Sequence, residues 1–296
     1  MRINLIYNLY ELNGAYTSFE DLYHNLKKYT NYDIRFIVLY KDKNVFNRFK
    51  EYLVFGSGIA YIQIAKYNRD GTKQKDIFYD FKSDISIISS EIIHLIKDGN
   101  INVTSNQTIL FYPAFVYKQE AIDTSRYQYE LEYIKQNNVL VVGNEYNKKY
   151  VDNCFVWYMK FSVERINRIK KMSTNENEIL IAEDYYKNKM SKLNIKPFSY
   201  KLYKYYRYDK KNENNLFTDF GARYYENIGK LMFEFILLDK QSIYLPKNKH
   251  GNDGLTEFMC YLGYDDNIEH YFSSDDKKYL EEKLYMNSTD ELLQLF

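Results

Sequence analysis

Proline (3), cysteine (2), tryptophan (1) and glycine (11) are scarce in this chain of 296 residues. Each shortage excludes something. So few prolines and glycines rule out collagen-like and Pro-rich low-complexity chains. Two cysteines, Cys154 and Cys260, lie far apart without ligand-like spacing, so neither a disulfide scaffold nor a zinc site is expected. Charge of one sign is also lacking: the formal net charge is +1 with a pI near 7.6, which argues against duplex DNA held by the whole surface. No long apolar run occurs, and the opening "MRINLIYNLYELNG" has no signal-peptide n-region, so neither membrane insertion nor secretion is expected. A reducing, cytoplasmic setting follows, in a bacterium or a virus-infected cell. What is abundant is a 45% hydrophobic fraction, enough for a sizeable core, with 34 tyrosines and 19 phenylalanines. The Tyr, Asn and Lys excess matches an A+T-rich coding sequence, so single residues of these types carry little functional weight.

The first 145 or so residues alternate apolar runs with helical periods, the rhythm of a parallel sheet flanked by helices. "INLIYNL" reads as the first strand, "ELNGAYTS" as a loop with Thr17 or Ser18 as helix N-cap, and "FEDLYHNLKKY" as a helix with Phe19, Leu22, Tyr23 and Leu26 on one face. "YDIRFIVLY", "IAYIQIA", "QTILFYP" and "NVLVVGN" are further strands, with "ISSEIIHLIK" and "QYELEYIKQ" as helices between them. "CFVWYMKFSVERINRIKK" adds a strand and a basic helix, and "ILIAEDYYKNKMSKLNI" another pair with Asp184 as a cap. A domain boundary is expected near Lys196, giving domains 1–195 and 196–296. The second holds the helix of "YYENIGKLMFEF", a strand in "QSIYLP" and two terminal helices, "DDKKYLEEKLY" and "STDELLQLF".

Three constellations bear on chemistry. Gly14, after the first strand, leaves backbone N–H groups free to face an anion or a sugar; as a plain turn glycine it would do nothing more. No G-x-G-x-x-G or P-loop lysine pattern accompanies it. Glu226 and Glu234, eight positions apart in one helix, would lie about 80° apart in projection and about 12 Å along the axis. That is too far for a glycosidase acid/base couple, so they would serve two parts of one long ligand, or else be ordinary solvated helix residues. His94 reads as a packed helix residue, and both cysteines read as buried core residues.

The segment "ENIGKLMFEFILLDKQSI", residues 226–243, resembles the signature of retaining nucleotide-sugar glycosyltransferases of the GT-B fold, family 4 type. Glu226, Gly229, Glu234 and the Asp239-Lys240 turn fall in register with it, "GLTE" resembles the Gly-x-x-Glu opening the next helix, and "ILIAEDYYKNKMSKLNI" resembles the close of the first domain. The usual proline and alanine around the second Glu are absent and Asn227 replaces the first Gly.

The resemblance implies an α/β architecture of two Rossmann-like domains facing a cleft. The second would be reduced, because few residues separate Ile195 from Glu226. It implies that Glu234 accepts from the ribose hydroxyls and that Glu226 serves the reacting centre. Arg207, Lys211, Lys230 and the amides around Gly229 would hold the diphosphate without a metal. The donor would be a nucleoside diphosphate sugar. The acceptor would be a cytosolic glycan or a hydroxymethylated base in phage DNA; the aromatic and basic stretches "WYMKFSVERINRIKK" and "KLYKYYRYDKK" suit the latter. In this fold the C-terminal helix often crosses back to the first domain, a role open to "STDELLQLF". The alternative is a non-catalytic α/β module that binds a nucleotide or a protein.

Overall fold

A computed structural model of the chain describes residues 1–9, 14–41, 43–50, 53–67, 73–111, 125–158, 160–172, 233, 236–237, 242–244, 259–265, 268 and 270–296. The chain divides into two compact units: Met1–Tyr158 with Ser288–Phe296, and Met159–Asn287. The boundary expected near Lys196 lies outside the described residues.

The first unit is α/β around a seven-stranded, wholly parallel sheet. Its strands are β1 (Arg2–Leu9), β2 (Asp33–Tyr40), β3 (Ile59–Gln63), β6 (Tyr79–Ile88), β7 (Ile101–Phe111), β8 (Leu140–Gly143) and β9 (Cys154–Val156). The order β3-β2-β1-β6-β7-β8-β9 runs outward from β1 in both directions, which is the doubly wound, Rossmann-like arrangement. A short antiparallel ribbon, β4 (Ala65–Tyr67) with β5 (Lys73–Asp76), interrupts the crossover from β3 to β6.

Successive side chains of a strand point to opposite faces, and β1 uses this fully. Tyr7 stacks edge-on with Tyr16 and tilts onto Phe19, both from helix α1 (Gly14–Tyr29), with ring centroids 5.7 and 5.4 Å away. Ile6, one residue earlier, packs with Ile88, Ile92, Ile93 and Leu110 in a separate core on the other face, under helix α3 (Ser90–Lys97). Helices α1 and α3 therefore cover opposite faces of β1. Strands buried on both sides must be apolar nearly throughout, which is why β1 and β2 read as continuous hydrophobic runs.

Helix α1 forms on the expected face: Phe19, Leu22, Tyr23 and Leu26 are all buried. Burying each is worth about 1.5–3 kcal/mol. Lys27 and Lys28 sit in its last turn, where they complement the helix dipole, and Thr30 Oγ1 donates to the Leu26 carbonyl at 2.8 Å to close it. Its other face is also buried and is polar, with Thr17, Ser18, Glu20, Asp21 and Asn25. The helix starts at Gly14, so the expected loop ends earlier, and Thr17 and Ser18 are interior helix residues rather than N-caps.

Helix α2 (Lys43–Phe49) lies beside edge strand β3, where Tyr40 stacks on Phe46 and Phe46 tilts onto Tyr61. Helix α4 (Ser125–Gln136) precedes β8, and α5 (Glu145–Lys148) follows it. The last helix, α8 (Thr289–Leu293), belongs to this unit. Thr289 Oγ1 donates to the Tyr29 carbonyl at the end of α1, 2.8 Å away, and Leu292 and Leu295 are buried. Ser288–Phe296 thus belongs to the first unit.

In the second unit the described elements are α6 (Val163–Met172), β10 (Ser242–Tyr244), β11 (His270–Phe272) and α7 (Ser274–Leu284). Strand β10 falls where "QSIYLP" places one, but it pairs antiparallel with β11. Phe233, Ile236 and Leu237, at helical spacing, are helical and buried, and the Phe233 ring meets Phe272 edge-on at 5.9 Å.

Candidate functional site

The strand order reverses between β1 and β6. Beyond their carboxyl ends the chain departs to opposite faces, into α1 from β1 and into α3 from β6. In doubly wound sheets this divergence opens the crevice that binds ligands.

Asn8 occupies the penultimate position of β1, and Ser89 follows β6 directly. The parallel register Ile6↔Ile88 and the Ser89 N–H donating to the Ile6 carbonyl at 3.2 Å set Ser89 level with Tyr7, one residue before Asn8. Ser89 is the N-cap of α3, with extended backbone (φ −83°, ψ 162°), yet its hydroxyl makes no capping bond. Its carbonyl accepts from the Ile92 N–H at 3.0 Å, so the backbone cap is made while the side chain is left over. Ser89 is only 4% exposed, and its Oγ is buried without a hydrogen-bond partner. The Asn8 Oδ1 is in the same condition. Such atoms are rare in folded proteins because each forfeits a solvent hydrogen bond worth about 1–3 kcal/mol.

Gly14, expected at this end of the sheet, opens α1 beyond the carboxyl end of β1. Arg207, Lys211, Glu226, Gly229, Lys230 and Glu234 lie outside the described residues, as do Asp184 and the "GLTE" loop. Asn8 and Ser89 carry no sequence motif. The signal that could have found Ser89 was β6, whose run "YDFKSDISII" is broken by Asp80, Lys82 and Asp84 and was not singled out as a strand.

At the carboxyl end of β8 the Oδ1 atoms of Asn144 and Asn147 are already engaged. Asn144 and Asn147 cap each other across the start of α5, and Trp157, buried after β9, donates its N–H to the Gly143 carbonyl at 2.8 Å. His94 packs between α3 and α4, its Nε2 2.7 Å from Oε1 of the buried Glu130, in keeping with a packed helix residue. Glu20 and Asp21, adjacent on α1, are both fully buried, and Glu20 Oε1 lies 3.8 Å from His24 Nε2. Neither was marked from sequence.

The second unit holds a cluster built on Asp276. Its Oδ1 accepts from the Tyr264 hydroxyl at 3.0 Å and lies 3.1 Å from His270 Nε2, while Oδ2 accepts from the Ser273 N–H at 2.8 Å. Burial pushes the Asp276 carboxyl up, but the bonds from Ser273, Tyr264 and His270 outweigh it and hold the group below the usual carboxylate range. Burial and then the bond to Asp276 raise the Tyr264 phenol well above its ordinary value, so it remains a donor at every working pH. The Ser273–Asp276 exchange is a capping box at the start of α7, which accounts for the cluster structurally.

Two expectations need correction. Cys260 is exposed and Cys154 is half-buried at the margin of the core, so neither is fully buried, and neither forms a disulfide. Cys154 sits on the terminal strand of the sheet, and Cys260 lies just before the turn at Gly263 rather than under an apolar face. In "WYMKFSVERINRIKK", Trp157, Phe161 and Arg165 are buried, because Trp157 closes the end of β9 and Arg165 packs over the Phe161 ring at 5.6 Å. These three do not offer a stacking surface to a nucleic acid. Among the described residues no helix is long and apolar enough to cross a membrane, and no three His, Cys, Asp or Glu side chains converge as metal ligands would.

Fold and site together define the first unit as a doubly wound, Rossmann-like α/β unit with polar side chains at its switch point. Compared with known proteins, the chain matches no family model, no curated protein and no solved structure.

Proposed function

We propose that the protein is a retaining glycosyltransferase of GT-B type that transfers a sugar from a nucleoside diphosphate sugar to a hydroxyl acceptor, working in the cytoplasm. The bond from the anomeric carbon to the diphosphate oxygen breaks, a new bond from that carbon to the acceptor oxygen forms, and the acceptor hydroxyl's proton passes to the departing nucleoside diphosphate.

The observation that carries this reading is the return of Ser288–Phe296 to the first unit, because the sequence resemblance implies such a crossing and a lone Rossmann unit does not require one. The seven-stranded parallel order around β1 supports it as the acceptor-side half. The antiparallel pairing of β10 with β11 departs from a full parallel second sheet, and the second half is accordingly proposed as a reduced one.

In this reading Glu234 accepts from the ribose diol of the donor, and Glu226 stabilises positive charge developing at the sugar. Arg207, Lys211 and Lys230, with the amides around Gly229 and Gly14, neutralise the leaving diphosphate without a metal. The test is thermal stabilisation by UDP, GDP, ADP and CDP sugars, followed by assay of sugar release from any donor that binds. Stabilisation with turnover is expected. Stabilisation without turnover would leave a nucleotide-binding module, and no response to any donor would sink the reading.

A further inference from the structure

We propose that two copies of this chain associate through the edge strand β3, each β3 pairing antiparallel with the other about a two-fold axis at Tyr61, so that two seven-stranded sheets become one. The inference concerns the first unit alone and is independent of the glycosyltransferase reading.

The first argument is the kind of edge that β3 presents. It ends the sheet order, with β2 on one side and, among the described residues, no strand on the other. An edge strand offers a row of backbone donors and acceptors to any further strand, and soluble proteins ordinarily guard it with lysine, proline or an inward-pointing charge. Here the guard is missing: the run "LVFGSGIAYIQIA", residues 53–65, holds no charged residue and no proline. The flanks are apolar as well. Phe55 and Phe78 are the two exposed phenylalanines among the described residues, at 56% and 61%, and one lies at each end of β3. Phe55 directly precedes Gly56, whose carbonyl holds the Ile59 N–H. Phe78 lies between Ile77, whose N–H donates to the Ile64 carbonyl, and Tyr79, whose hydroxyl donates to the Gln63 carbonyl. Exposed aromatic surface on both flanks of a bare edge marks a contact between proteins.

The second argument is which backbone groups remain on that edge. The Phe36 N–H donates to the Gly58 carbonyl at 2.7 Å, and the Ile64 N–H to the Tyr40 carbonyl at 3.1 Å. Parallel pairing engages alternate residues, so Gly58, Ala60, Ile62 and Ile64 turn their backbone groups toward β2, while Ile59, Tyr61 and Gln63 turn theirs outward. Two of the outward groups are already used: the Ile59 N–H by Gly56 at 3.2 Å and the Gln63 carbonyl by Tyr79 at 3.3 Å. The Ile59 carbonyl and the Gln63 N–H are left over. An axis at Tyr61 sets Ile59 of each chain opposite Gln63 of the other. The leftover acceptor then meets the leftover donor, twice, and the two groups already bonded face each other. Such self-complementarity is what a two-fold contact requires, and it selects a second copy over an unrelated strand.

The experiment is sedimentation equilibrium of the full chain over a concentration series, with amide hydrogen exchange read alongside. The mass should rise to twice that of the chain. Exchange at the Gln63 amide should slow in step with it, while the Ile59 amide, bonded within its own chain, keeps its rate. Gln63→Pro removes the outward donor and no bond to β2, a position where an edge strand tolerates proline, and should weaken association by roughly tenfold or more. Ala60→Lys, at an exposed position beside the axis, brings two like charges together and should weaken it on the same scale. It is the second probe if Gln63→Pro disturbs the strand. A monomer at every concentration, a dimer that both variants leave intact, or Gln63 exchange that does not change with concentration would each overturn the proposal.

Discussion

Asn144 and Asn147 cap each other: the backbone N–H of each donates to the side-chain Oδ1 of the other, both at 3.0 Å. The exchange fixes the turn from β8 into α5 with both residues out of water. Gly143 is part of the same arrangement, because a Cβ there would meet Asn147 Oδ1 at 2.6 Å and its Cγ at 2.8 Å. Asn147→Ala strands the Asn144 amide and should cost about 1–3 kcal/mol. Gly143→Ala should also destabilise, and by less in the Asn147→Ala background, where only the Cβ contact at 3.0 Å remains. Urea denaturation of the two single variants and the double variant measures the coupling; strictly additive losses would refute it.

The capping box of α7 makes a second prediction. Ser273→Ala should destabilise by about 1 kcal/mol, read as a lower denaturation midpoint. The pH dependence follows from the depressed Asp276 carboxyl. Its contribution is fully present above the ordinary carboxylate pKa of about 4 and is lost as pH falls through the lower folded value. Asp276→Asn should therefore reduce stability at neutral pH and flatten the acid limb of the stability profile. An unchanged acid limb would mean that other carboxylates control it.

The closing helix carries a third. Leu292 is fully buried in the first unit, and Leu292→Ala should cost about 2–5 kcal/mol. Thr289→Val, which removes the donor to Tyr29 and keeps the shape, should cost about 1 kcal/mol. Hydrogen exchange at the end of α1 should quicken in both. If exchange there stays at the wild-type rate, α8 is not holding α1.

The two glutamates should separate kinetically. Glu234→Ala is expected to abolish thermal stabilisation by the nucleoside diphosphate alone. Glu226→Gln is expected to retain that stabilisation while sugar release falls by two orders of magnitude or more, on the scale of losing a single electrostatic stabiliser. Equal effects of the two variants on nucleotide binding would count against their assigned roles.

Much of the fold was legible because buried parallel strands must be apolar on both faces. Ile3, Leu5, Ile6 and Tyr7 declare β1, and Phe36, Ile37, Val38 and Leu39 declare β2. Strand β6 was not legible, since its first half alternates Phe81 inward with Asp80, Lys82 and Asp84 toward solvent, a pattern that reads as loop when no buried run surrounds it. Missing β6 hid the switch point, and with it Asn8 and Ser89. No local pattern marks a residue whose importance comes from the register of a distant strand.

Leu292 and Leu295 complete a unit whose remaining residues end at Tyr158, while Met159–Asn287 is made in between. During synthesis the sheet emerges from the ribosome long before the helix that seals α1. The first unit must wait, with an apolar seam uncovered, until Met159–Asn287 has been translated, and only then can its two parts join.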